Sequence, residues 1–319
     1  MKNVFTGESK NHRASNWEGV PFAVGIFHIL FAASCEFRTV TRVWADDPDY
    51  AIEVFTPMLS AILIAVKGIR LWFWRHELYA LLRGLAVMWE ESHGRVEIRK
   101  KILASAEGTK RVGKYYGNMI IILVTNYALT PYIRLFQYYL YKNNMSEPYD
   151  YTVTVYPTTY PFATTTLTRY IICVTWEQFI FIFFVLYWMA SDSLFAQLTT
   201  HTAIQYRILC HDLKNIAKSD DPTKSTNESE RIRRLCVISQ RHHYLYRCCR
   251  RIEKMFNPIL FLMMLLTALN MCLCAFRLDK EVAQGNWSGV IKYLVHATTL
   301  IIQAVIYCGY AESLSRQML

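Results

Sequence analysis

Apolar residues along this chain gather into six long runs, at 19–35, 50–66, 117–141, 170–191, 258–276 and 293–311, with polar stretches between them. A helix rises 1.5 Å per residue, so about 20 apolar residues match the hydrocarbon core of a bilayer. The runs are continuous and show no period of two, which excludes the alternating strands of a membrane β-barrel. Each predicts a membrane-spanning helix. Few charged groups interrupt them: Glu53 in the second, Arg134 in the third and Glu177 in the fourth, while the sixth carries only His296.

Two of the intervening segments are long and carry a helical pattern of their own. Within 67–114, Leu71, Trp74, Leu78, Leu81, Leu82 and Leu85 recur at spacings of three and four, so the second span is expected to continue well beyond the membrane. Within 192–257, one flank extends the fourth span and the other leads into the fifth, with the polar stretch 217–230 as an exposed turn between them. No internal repeat and no isolating linker is visible. The expected fold is all-α: a polytopic membrane bundle forming a single transmembrane domain over 1–319, with spans two, four and five extended into a packed intracellular part.

Composition supports that class over a soluble one. Hydrophobic residues make up 53% of the 319 positions and charged ones only 19%, against roughly 25% charged in ordinary soluble domains. A net charge of +10 on a soluble protein would point to nucleic acid. In a membrane protein it has a simpler source, because Lys and Arg are retained on the cytoplasmic side. With the N-terminus inside, the inward-facing segments hold 27 Lys and Arg and the outward-facing ones 7. That asymmetry predicts cytoplasmic termini and makes lipid, rather than nucleic acid, the expected partner. The first residues carry no short apolar core with a cleavage site, so no removable signal peptide is expected. The acceptor triplets at Asn144 and Asn286 fall outside and are candidate glycosylation sites; a third, at Asn227, falls inside. None of the nine cysteines lies in an outer loop, so no structural disulfide is expected.

Enzyme signatures are missing: there is no nucleophile elbow, P-loop, HExxH or paired CxxC. No cofactor is expected, and packing or solvation accounts for His242-His243 and Cys248-Cys249. Ionisable groups at membrane depth face protein or water by default. Glu177 and Arg134, in the outer halves of neighbouring spans, are candidates to pair or to line a polar cavity. Glu53 and Lys67 lie near opposite ends of the second span, where snorkelling suffices. Aromatics crowd the outer halves: Phe55 in span two, Tyr127, Tyr132, Phe136 and Tyr139 in span three, and Tyr170, Trp176 and Phe179 in span four. Singly each suits packing or the interfacial belt; together they suit a pocket for a small apolar molecule. Pro57 and Pro131 are candidate backbone breaks that would open space between helices.

Several stretches, in order, resemble the insect odorant receptor family. They are the apolar run Leu59-Ser60-Ala61-Ile62-Leu63-Ile64-Ala65-Val66 closed by Lys67, and Tyr160-Pro161-Phe162 before the fourth span with Tyr170 after it. They continue with Asp192-Ser193-Leu194 followed by His201, Gln205 and Leu209, and with His242 or His243, Tyr246 and Ile252-Glu253-Lys254-Met255-Phe256. The last is Tyr307-Cys308-Gly309-Tyr310-Ala311-Glu312-Ser313. The resemblance implies an odorant-gated, non-selective cation channel of the cell membrane, in the dendrite of a sensory neuron. The tuning subunit would assemble with a shared co-receptor into a heterotetramer. It also implies a volatile ligand in the outer half of spans two, three, four and six. That adds Met58, His296 and Thr299 to Phe55, Tyr127, Tyr132, Phe136, Tyr170, Trp176 and Phe179 as candidate ligand residues. The long cytosolic insertion of the co-receptor is missing, so the chain resembles a tuning subunit. The family's seventh, pore-lining span has no counterpart before Leu319. The chain is therefore expected to be an incomplete product or a short isoform, or to lack a normal pore wall.

Other classes fit less well. A G-protein-coupled receptor needs an outer N-terminus and usually a disulfide to an outer loop, against the charge bias and the cysteine positions. A transporter predicts two repeated halves with interrupted helices, and none is visible. A gustatory receptor of the same superfamily is the nearest alternative.

Overall fold

The computed structural model describes residues 19–92, 96–141, 149, 151, 154–156, 160, 162–218 and 228–318. Among them are seven helices and no strand: α1 (Val20–Val43), α2 (Pro48–Phe73), α3 (Arg75–Ser92), α4 (Val96–Tyr141), α5 (Leu167–Lys218), α6 (Glu228–Ala283) and α7 (Trp287–Met318). Six of these are long and apolar enough to cross a membrane; α3 is the exception. Phe27, Ile122, Ile182, Phe261 and Val305 point outward from the bundle. Apolar surface spread so widely over several helices is stable only against hydrocarbon or another protein.

The six runs reappear as helices with different ends. α4, α5 and α6 have 46, 52 and 56 residues, about 70–85 Å each at 1.5 Å per residue, so they project far beyond a bilayer core. The expected extension of the second span is corrected. α2 stops at Phe73, and the 67–114 segment splits into its last turns, a separate α3 and the first half of α4. The third span, not the second, carries the long projection. At the break, Arg75 lies over the Trp72 ring at 4.2 Å, and Trp72 stacks on Phe22 at 4.6 Å, so the chain is held where the helix ends. Pro57 and Pro131 break nothing: both lie inside continuous helices.

Short connections close one end of the bundle. Asp47 caps α2 by accepting the Tyr50 N–H at 3.0 Å, with Pro48 at the first helical position. The α6–α7 turn contains Gly285 at φ +69°, a left-handed conformation that a side chain would strain. Asn286 then caps α7 through Oδ1, which accepts the Gly289 N–H. Ion pairs lace this turn end together: Lys280 with Asp49, Lys292 with Glu53 at 3.2 Å, and Arg277 with both Glu53 (3.5 Å) and Glu281 (2.9 Å). The projecting helices and α3 form the opposite, extended end, where Thr109 on α4 and Thr200 on α5 share a hydrogen bond of 2.9 Å.

α5 is the central post and touches every other helix. Two large apolar clusters stack along it, and a small third joins Ile204 and Ile208 to Ile102 of α4. The large one nearer the turn end contains Ile29, Met58, Ile120, Tyr170, Ile180 and Phe184. The other, toward the extended end, contains Leu81, Leu85, Phe195, Leu245, Met255 and Phe256. Between them runs a polar layer.

Candidate functional site

The helical repeat sorts the aromatic candidates. Successive residues on a helix turn by about 100°, so on α4 Tyr132 lies about 140° from Tyr127, and Phe136 on the opposite face. Tyr127 points inward, where its hydroxyl meets His296 Nδ1 at 3.2 Å and Lys292 Nζ lies 4.7 Å above its ring. Tyr132 and Phe136 are 46% and 64% exposed on the outside of the bundle. Sequence reasoning put all three in one pocket because it counted aromatics per span and not per face.

Of the ten candidate ligand residues, Tyr127 and His296 are brought into contact, and Phe55, Met58, Tyr127 and Tyr170 share the apolar cluster nearer the turn end. Met58, Tyr170, His296 and Thr299 are buried, with Phe55 and Tyr127 half-buried and packed on the same cluster as Met58 and Tyr170. They come from α2, α4, α5 and α7, four helices that the pattern of contacts makes neighbours of α5. Trp176 packs on the same cluster from the side of α1, and Phe179 turns toward α1. Trp176 Nε1 donates to His28 Nδ1 at 3.3 Å and its ring meets Phe31 edge-on; Phe179 meets His28 in the same way and is largely exposed. Asn144 lies outside the described residues. Asn286 is exposed, and its Nδ2 donates to Glu281 Oε2 at 2.6 Å.

The expected partnership of Glu177 with Arg134 is not formed. Arg134 is exposed, while Glu177 is fully buried and binds the α4–α5 connection instead. Its carboxylate accepts the Val155 N–H at 2.7 Å and the Tyr160 hydroxyl. Thr154, Val155 and Tyr156 are thereby drawn into the bundle, with Tyr156 edge-on to Phe181. Tyr149 and Tyr151 pack on Tyr170, and the Tyr149 and Tyr170 hydroxyls lie 3.1 Å apart. The described residues of the connection thus pack over the aromatic cluster. No span-by-span reading finds this packing, because these residues lie outside every apolar run; the dense tyrosines at 149, 151, 156 and 160 were the available signal.

The polar layer beneath is built on Asp192. Lys67 Nζ approaches its Oδ1 at 2.6 Å, and neither side chain is more than 1% exposed. Tyr307 donates to the same oxygen at 2.6 Å; Tyr116 and Gln303 each donate to Oδ2 at 2.8 Å. Lys67 therefore does not snorkel. It lies a full turn and more inside α2, and a carboxylate on α5 sits where its ammonium ends. Among the described residues no three His, Cys, Asp or Glu side chains converge as metal ligands would.

In chemistry this is an apolar, aromatic cluster with the polar contact Tyr127–His296 at its side, above a charged structural layer. It suits a small, mostly apolar guest held by contact and few hydrogen bonds. Comparison with known proteins identifies the family and the fold. The family described as 7tm Odorant receptor matches residues 47–319. Odorant receptor 13a of Drosophila melanogaster is 20% identical over 209 residues, 63% of this chain and 46% of the relative, so the match spans about half the length of that protein. The solved insect olfactory receptor OR5 from Machilis hrabei is 16% identical, with 98% of this chain and 75% of that one covered, at a TM-score of 0.65. The same receptor in complex with eugenol aligns at 0.71. At that identity the two structures establish the shared fold.

Proposed function

This chain belongs to the 7tm odorant receptor family, and from that premise we propose that it takes a small volatile ligand among the turn-end aromatics and, with a co-receptor subunit, gates a cation channel in a sensory-neuron membrane. The turn end then faces outward. The bias of Lys and Arg toward the extended end and the N-terminal segment supports that orientation.

The observation that carries the reading is the contact of Tyr127 with His296 beside an apolar cluster that includes Phe55, Met58 and Tyr170, with Thr299 buried one turn from His296 on α7. OR5 of Machilis hrabei, whose fold this chain shares, has been solved in complex with eugenol. A guest here trades water for aromatic and aliphatic contact, worth about 25 cal/mol per Å² of apolar surface. By preferring one arrangement of α2, α4, α5 and α7 it shifts the population of bundle states. Further along the bundle the Asp192 layer ties the same four helices together, which gives a change in their packing a route to the extended end.

The test is calcium recording from cells that express this chain with an insect odorant co-receptor, beginning with eugenol and continuing through a panel of volatiles. A second version carries a relative's seventh span fused after Leu319. A concentration-dependent response that requires both subunits supports the reading. Silence of both versions across the panel, with both proteins at the cell surface, overturns it.

A further inference from the structure

Beside Thr299 on α7, helices α2, α5, α6 and α7 enclose a small cavity lined by Ser60, Lys67, Thr267, Asn270, Leu300 and Gln303, with Trp188 from α5. It has about 10 Å³ of space for the centre of a water-sized sphere, which is the room that one water molecule takes. Three of its lining side chains are more than nine-tenths buried and each leaves one polar atom without a hydrogen-bond partner in the protein: Thr267 Oγ1, Asn270 Oδ1 and Gln303 Oε1. Three such atoms around one cavity are a concentrated exception, since buried polar groups are nearly always paired.

The amide donors of Asn270 and Gln303 are already spent. Asn270 Nδ2 donates to Ser60 Oγ at 3.3 Å, and Ser60 Oγ in turn donates to the Thr56 carbonyl at 3.4 Å. Gln303 Nε2 donates to Asp192 Oδ2 at 2.8 Å, and the negative carboxylate dictates that orientation of the amide. Both amide oxygens that face the cavity can therefore only accept. What fits is a molecule that supplies two O–H donors from one small atom and accepts one hydrogen bond in return.

We infer that this cavity is a binding site for a single structural water. The water donates to Asn270 Oδ1 and Gln303 Oε1 and accepts from the Thr267 hydroxyl. It fastens α6 to α7 and, through Gln303, to the Lys67–Asp192 pair. An alcohol of similar size has one donor and leaves one amide oxygen unmet, so water is the better occupant.

X-ray hydroxyl-radical footprinting of the full chain in lipid nanodiscs tests this, because radicals form where water is bound. Leu300 and Leu63 line the cavity and are 2% and 6% exposed, so bulk solvent does not reach them. The expected result is oxygen incorporation at these two leucines. Exposed Leu235 is the control for radicals formed in bulk solvent. The double substitution Asn270→Leu with Gln303→Met should abolish the internal label. Unlabelled Leu300 and Leu63 beside a labelled Leu235 overturn the site. A label that survives the double substitution overturns the assigned partners. Loss of the label on adding methanol overturns the two-donor requirement and makes the site a general hydroxyl pocket.

Discussion

Lys67 and Asp192, 125 positions apart in the chain, meet at 2.6 Å with both side chains sealed from solvent. The pair spans α2 and α5, and Tyr116 and Tyr307 bring α4 and α7 onto the same carboxylate. Taking two charges out of water is costly, and their attraction in a low-dielectric interior repays it only when the remaining lone pairs are met. Asp192 accepts from four neighbours besides Lys67, Ser191 among them at 3.3 Å, so that condition holds.

Breaking the pair from one side should therefore be far worse than removing it whole. Asp192→Ala leaves a buried ammonium and should cost about 3–5 kcal/mol. The double substitution Lys67→Met with Asp192→Leu should recover most of that loss. Tyr307→Phe removes one hydrogen bond to a charged group and should cost about 1.5–3 kcal/mol. Thermal unfolding followed by fluorescence-detected size exclusion reads all three; an Asp192→Ala protein as stable as the parent would refute the account.

α1 docks on α5 through a glycine. A Cβ at Gly25 would sit 2.6 Å from Phe183 Cδ1 and also collide with the Tyr187 hydroxyl, which is held by its hydrogen bond to the Phe22 carbonyl at 3.1 Å. Gly25→Ala should destabilise the bundle by about 1–3 kcal/mol through overpacking. Tyr187→Phe in the same chain removes the colliding oxygen and should restore part of the melting temperature. No restoration would place the strain elsewhere.

Ligand ranking should follow helix face, not span. His296→Leu and Tyr127→Phe remove the polar pair of the proposed site. Each should shift half-maximal concentrations for different odorants unequally, by about 1–3 kcal/mol or 10- to 200-fold. Tyr132→Ala and Phe136→Ala act on the outer face of α4 and should leave the ranking unchanged. Concentration–response curves from co-receptor cells decide. A ranking that moves with Phe136 and not with Tyr127 would reverse the assignment of the two faces.

Membrane orientation has its own readout. Asn286 both offers a glycan acceptor and caps α7, so replacing it confounds two roles, with about 1 kcal/mol expected for the cap alone. Ser288→Ala and Ser146→Ala destroy the two triplets while leaving the asparagines in place. Each should remove an endoglycosidase-sensitive gel shift if the turn end faces outward, and Ser229→Ala should change nothing. A shift that depends on Ser229 would invert the topology.

The sequence alone determined the helical class, the six spans and the uneven distribution of positive charge. These are local properties: an apolar run of sufficient length must form a helix in a bilayer because nothing else satisfies its backbone there. The resemblance to odorant receptors was likewise legible in motifs strung along the chain. What only the tertiary structure decided was which side chains face one another. Lys67 read as a snorkelling end residue because its partner is on another helix, and Glu177 was matched to Arg134 when its true partners lie in the α4–α5 connection. Tyr132 and Tyr127 have the same chemistry and the same span, yet one is outside and the other points inward. Helix rotation and neighbour choice are set by the packing of all the helices at once, and residue type along a single segment does not carry that information.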